Sequence, residues 1–138
     1  MTPTNLHYGM RVSVPLAYER AVEVAREELS KEGFGVLTEI DVKATLKKKL
    51  DVDFRRYIIL GACNPPMAHQ ALSAERDIGL LLPCNVVVYE GDDATSSVVA
   101  AIDPVKQLEI SGNTEIGPVA DEVRAKLVRV LEGVTASA

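Results

Sequence analysis

The chain has 138 residues, a formal charge of −5 and a pI near 5.0, so it presents no basic footprint for a nucleic-acid backbone. With 47% hydrophobic and 25% charged residues it has the composition of a folded domain, not a disordered one. Aromatics are only 4% and Trp is absent, so the core must be Val, Leu, Ile and Ala, a poor set for stacking bases or sugar rings.

Residues 6–14 predict a first strand, although His7, Arg11 and Ser13 break any continuous apolar run. Pro15 suits the opening turn of a helix. Tyr18, Ala21, Val22, Ala25 and Leu29 then recur at spacings of three and four, with Glu19, Glu23, Arg26 and Glu27 on the other side. That pattern is an amphipathic helix lying on an apolar surface, with Gly33 as its terminator. Residues 34–40 predict a second strand, after which Asp41 is placed to cap a short helix over Val42–Leu50, with Ala44, Leu46 and Leu50 turned inward. The basic run Lys47, Lys48 and Lys49, with Arg55 and Arg56 beyond it, reads as a solvated face whose charge suits a helix C-terminus.

Ile58-Ile59-Leu60 reads as a strand, and Asn64-Pro65 as the start of a third helix, with Asn64 as N-cap and Pro65 in the first helical position. Leu80-Leu81-Leu82 leads into another strand at Val86-Val87-Val88. Gly91-Asp92-Asp93 is a turn that joins it to Ser97–Ile102 as an antiparallel hairpin. Asp103-Pro104 interrupts pairing, and residues 105–110 fit either a short strand or an irregular crossing. Pro118 opens a last helix with Asp121 and Glu122 in its first turn and a stripe of Ala120, Val123, Leu127, Val130, Leu131 and Val134 to bury.

These elements predict one α+β domain over residues 1–138: a mostly antiparallel sheet of about five strands, two long helices on one face, and two short helices in connections. The runs at 58–60 and 86–88 show little alternation, which predicts strands buried on both faces. A second copy of the chain would supply the missing cover, so a homodimer is expected.

No apolar run approaches the roughly 18 residues needed to cross a bilayer. MTPTNLHYGM shows no basic-then-apolar leader, and a cytoplasmic, reducing location is the expectation. Two cysteines there are expected to be free thiols, ligands or redox groups.

Three segments carry a resemblance: Gly33-Phe34-Gly35-Val36-Leu37-Thr38-Glu39-Ile40-Asp41-Val42, Leu60-Gly61-Ala62-Cys63-Asn64-Pro65-Pro66 and Gly79-Leu80-Leu81-Leu82-Pro83-Cys84-Asn85-Val86-Val87-Val88. With Ala101-Ile102-Asp103-Pro104 and the helix at 119–131, they resemble the domain-of-unknown-function family numbered 302 over nearly the whole chain. The resemblance implies a small α+β fold with helices packed on a sheet, and no assigned activity.

Cys63 is the sharpest candidate for chemistry, because a helix N-terminus favours a thiolate. His69 lies one turn further along that helix, and Cys84 begins the next strand; each cysteine is followed by an asparagine, Asn64 and Asn85. Cys63, His69 and Cys84 could hold a divalent metal with one position open, although the spacing is not the paired pattern of zinc sites. Against this stands a bland reading, in which both cysteines are small core residues and Asn64 is only a cap. Parallel pairing of the two central strands would put the sulfurs roughly 17–20 Å apart, whereas antiparallel pairing, which is favoured, puts them at one end. Glu39 and Asp41, two apart on a strand, form a second cluster that could hold a cation or act as acid and base, set against plain roles as surface residue and cap. Asp103 could join either cluster or simply serve the turn. No P-loop, GxSxG, HExxH or GxGxxG is present, which removes nucleotide binding and the common hydrolases. The expected function is binding of a small ligand or a protein partner through a polar pocket at Cys63-Asn64 and Cys84-Asn85. The alternative is a thiol-dependent redox or metal-dependent enzyme using Cys63 with Cys84 and His69.

Overall fold

The computed structural model describes residues 3–138. In chain order the elements are β1 (Thr4–Asn5), β2 (Gly9–Val14), α1 (Tyr18–Lys31), β3 (Gly35–Asp41), α2 (Val42–Leu50), β4 (Tyr57–Cys63), α3 (Pro65–Ala74) and a 3-10 turn at Arg76–Leu81. They continue with β5 (Cys84–Glu90), β6 (Ser97–Ile102), α4 (Pro104–Glu109), a 3-10 turn at Thr114–Ile116 and α5 (Gly117–Ala136). The strands form one six-stranded sheet in the order β1-β2-β6-β5-β4-β3, with every neighbouring pair antiparallel. This is the α+β architecture expected, with one strand more than the pattern suggested.

The long helices lie where their apolar stripes require. Helix α1 contacts β5 and β6, α5 contacts β2 and β6, and the two helices pack on each other. The buried residues of α5 are the six of its sequence stripe. On α1 the buried set is Ala21, Val24, Ala25, Glu28 and Leu29, so Val24 takes the place assigned to Val22. Full burial of one such Leu or Val stabilises the fold by about 1.5–3 kcal/mol. The end of α1 is set by Gly33 at φ +83: its amide donates to the Ser30 carbonyl and that of Phe34 to the Leu29 carbonyl at 3.0 Å each, the paired bonds of a Schellman cap. The cap delivers Phe34 into the same core that Leu29 occupies.

Five expectations need correction. Helix α2 buries no residue: Ala44 and Leu50, expected to turn inward, are exposed, and Leu46 is half-buried. The first strand is broken, because Leu6 donates to the Gly9 carbonyl at 2.7 Å in a tight turn between β1 and β2. Helix α1 starts at Tyr18, three residues beyond Pro15. Residues 105–110 are largely helical: the Asp103 carboxylate accepts from the Val105 amide at 2.9 Å, Pro104 opens α4, and six residues are too few for a period to show. The central strands are not buried on both faces. Leu60, Val86 and Val88 are fully buried under the helices, while Ile59 and Val87, which point the other way, are half-buried.

The main core lies between the sheet and the two long helices, and a second cluster of Ala71, Ile78, Leu108, Ile116 and Ala120 lies under α3 and α4. Val119 packs against both. No described helix is long and apolar enough to cross a membrane.

Candidate functional site

Antiparallel pairing of β4 with β5 sets Ala62 opposite Cys84, so Cys63 and Cys84 do fall at the same end of the sheet. Both thiols are free and both line one cavity of about 330 Å³. That cavity occupies the seam between the two hydrophobic clusters. Phe34, Ala62 and Val123 form its main-core side, and Ala71, Leu82 and Leu108 its other wall. Its volume is at the small end of the range for ligand pockets, about 300–1,000 Å³.

The lining is apolar, not the polar pocket expected. Apart from backbone, the Thr38 hydroxyl, the Asn64 amide and the two thiols are the polar groups, and no Lys, Arg, Asp, Glu or His takes part. Cys84 is buried, its sulfur donates to Gln107 Oε1 at 3.8 Å, and burial followed by the neighbouring Cys63 pushes its thiol up to about 11. It is therefore a neutral group at ordinary pH, and the cavity offers no partner to a charge. The two cysteines lie at the same end of the β4–β5 pair, and both are free thiols.

Asn64 is buried but does not cap α3 with its side chain. Its Nδ2 donates to the Glu32 carbonyl at 3.2 Å, at the end of α1, and so ties the exit of β4 to the Schellman turn. The preceding glycine has a comparable structural reason. A Cβ on Gly61 would lie 2.9 Å from Pro83 Cγ and inside the contact distance of the Thr38 hydroxyl, so only glycine lets β3 and the approach to β5 close over β4 here. Thr38 and Pro83 line the cavity, so this close approach helps shape its wall.

The remaining candidates lie elsewhere. His69 is exposed on α3 and does not line the cavity, because a helix that begins at Pro65 turns Met67, Ala68 and Ala71 toward it instead. Asn85 is exposed on the opposite sheet face, beside a shallow groove shared with Tyr8 and Tyr57. Glu39 and Asp41 share a face as expected, opposite Leu60 and Ile58, but each has a structural partner. Glu39 pairs with Arg26 of α1, and Asp41 caps α2 by accepting from the Ala44 amide at 2.9 Å. Asp103 caps α4 and meets Arg124 at 3.1 Å. Among the described residues no group of three or more His, Cys, Asp and Glu is arranged to hold a metal ion. Lys47 of the basic run pairs with Asp51 at 2.9 Å on the exposed end of α2.

Sequence reasoning did not find Phe34, Thr38, Met67, Ala71, Leu82, Leu108 or Val123 as parts of a site. Each reads locally as core, and only the folded chain brings their segments to one cavity.

The family model described as "Domain of unknown function DUF302" matches residues 10–134. The fold is similar to the crystal structure of an uncharacterized conserved protein DUF302 from Bacillus stearothermophilus, with a TM-score of 0.84 and 26% sequence identity over 93% of this chain and 98% of that one. No curated protein matches.

Proposed function

We propose a binding function for this chain, which belongs to the DUF302 family: the seam cavity takes a small, uncharged, mostly apolar ligand with one polar end. The observation that supports this reading is an apolar cavity of about 330 Å³ with no charged side chain in its lining. A formal charge seated against that lining would lose water without gaining a counter-charge, a cost that disfavours phosphates, carboxylates and amines in their ionised forms. The apolar body of the ligand would meet Phe34, Met67, Ala71 and Leu108, and its polar end the hydroxyl of Thr38 or the thiol of Cys63. Burial of its carbons at about 0.8 kcal/mol per methylene drives the binding, offset by the loss of free motion.

Isothermal titration with 1-octanol and with octanoate tests this. The alcohol binds and the carboxylate binds at least about tenfold more weakly. Gly79→Leu, whose Cβ would meet Leu72 Cδ2 at an ordinary 3.8 Å, adds bulk at the cavity wall and abolishes the heat of octanol binding. Equal binding of alcohol and carboxylate, or octanol binding unchanged in Gly79→Leu, would refute the reading.

A further inference from the structure

The face of the sheet turned away from α1 and α5 carries two apolar rows that cross from strand to strand. In the first, Ile40 of β3 stands opposite Ile59 of β4, Ile59 opposite Val87 of β5, and Val87 opposite Ala100 of β6, after which Arg11 of β2 closes the row. In the second, Tyr57 stands opposite Tyr89 and Tyr89 opposite Val98, with Ser13 at the end. Cross-strand partners in register lie about 4.5–5.5 Å apart, so each row is a continuous ridge of hydrocarbon, not a set of isolated side chains. Ile40 keeps 49% of its surface exposed and Phe54, at the margin, 42%. Val87, Tyr89, Val98 and Ala100 are half-buried.

Aromatic residues are concentrated here. Four of the chain's six Phe and Tyr side chains gather on this face: Tyr57 and Tyr89 stack at 5.2 Å with their planes 7° apart, Phe54 lies 6.2 Å from Tyr57, and Tyr8 joins Tyr57 in the shallow groove. An otherwise aromatic-poor chain has placed most of its large rings on the face that α1 and α5 leave uncovered. Aromatic side chains in a charge-free centre with a polar rim are the composition of a protein–protein contact. In this case Arg11, Ser13, Thr38 and Asn85 make up the rim.

We infer that this face is the interface with a second copy of the same chain, sheet stacked on sheet about a twofold axis. Area supports the assignment. Five strands of about six residues span about 24 by 20 Å, or roughly 500 Å² of flat surface per chain and 1,000 Å² for the pair. That meets the roughly 1,000 Å² a specific interface needs, before the relief of the side chains and the flanking Phe54 add to it. A nucleic acid does not fit a face whose one cation, within the two rows and their ends, is Arg11 at the margin. A twofold pair, by contrast, matches each ridge of one copy with the same hydrocarbon on the other.

The cavity shares no lining residue with either row, and Thr38 is the one rim residue that also lines it. Sedimentation equilibrium of the full chain tests the inference, with Val87→Lys and Tyr89→Lys as separate disruptions and Ile110→Lys, at a site 73% exposed elsewhere, as control. The wild type and the control sediment at twice 14.9 kDa, and each row variant raises the dimer dissociation constant by about 100-fold or more while remaining folded by circular dichroism. The row variants still bind 1-octanol, which separates this result from any failure of the cavity reading. A monomeric wild type at millimolar concentration, which would leave the face to a different partner, overturns the inference. So does a dimer that persists in both folded row variants.

Discussion

Gly61 offers the sharpest test of how the candidate site is built. Substituting alanine places a Cβ 2.9 Å from Pro83 Cγ and 3.4 Å from Thr38 Cβ, and the Thr38 hydroxyl lies closer still. The backbone there is not in the left-handed region, so the cost is steric rather than conformational. Overpacking of this kind costs about 1–3 kcal/mol. Restricting the unfolded chain returns about 0.4–1 kcal/mol. Gly61→Ala therefore destabilises the domain by a net of about 1–2 kcal/mol. Thr38→Ala removes the hydroxyl that makes the closest approach, and in that background the same substitution costs less than about 1 kcal/mol. Urea unfolding of the wild type, both single variants and the double variant, followed by far-UV circular dichroism, measures the cycle. An unperturbed Gly61→Ala, or an identical cost in the two backgrounds, refutes the steric account.

Other outcomes follow from the same contacts. Folded Cys84 holds its proton up to about pH 11, against about 9 for a free thiol, so the stabilisation from burying it is whole below pH 9 and is lost as the pH rises toward 11. Melts across that window show the wild type losing about 2–3 kcal/mol more than Cys84→Ala, and parallel losses would contradict the burial of this thiol. Asn64→Ala removes the bond to the Glu32 carbonyl and costs about 1–2 kcal/mol in urea unfolding, whereas a purely ligand-contacting Asn64 would leave stability unchanged. Glu39→Gln breaks an exposed ion pair with Arg26 and shifts stability by less than about 0.5 kcal/mol, with no change in octanol binding; a larger loss would mean that Glu39 does more than pair at the surface.

How much could be read from the sequence depended on the range of the contacts. The stripe of α5 was legible because twenty residues repeat a period of 3.6 with nothing to interrupt it. Gly33 was legible as a terminator, since a cap is decided within five residues. Helix α4 was not, because six residues carry no period and its cap, Asp103, looks like any turn aspartate. Asn64 was assigned the role that its neighbours suggested, while its actual partner lies thirty-two positions earlier in the chain. The meeting of the two cysteines could be anticipated once antiparallel pairing was favoured. The character of the cavity around them could not, because its walls come from β3, β4, α3, the Arg76–Leu81 turn, β5, α4 and α5, and each contributes residues that look like ordinary core. His69 was drawn in by proximity in sequence and left out by helix phase.

The central claim is that the seam between the two hydrophobic clusters is where a ligand binds, and a two-dimensional NMR titration of the full chain with 1-octanol tests it most directly. Saturable shifts confined to Ala62, Ala71, Leu108 and Val123 are the predicted result. Shifts confined to Tyr57, Tyr89 and Val98 on the far sheet face, or no saturable shift at all, would contradict it.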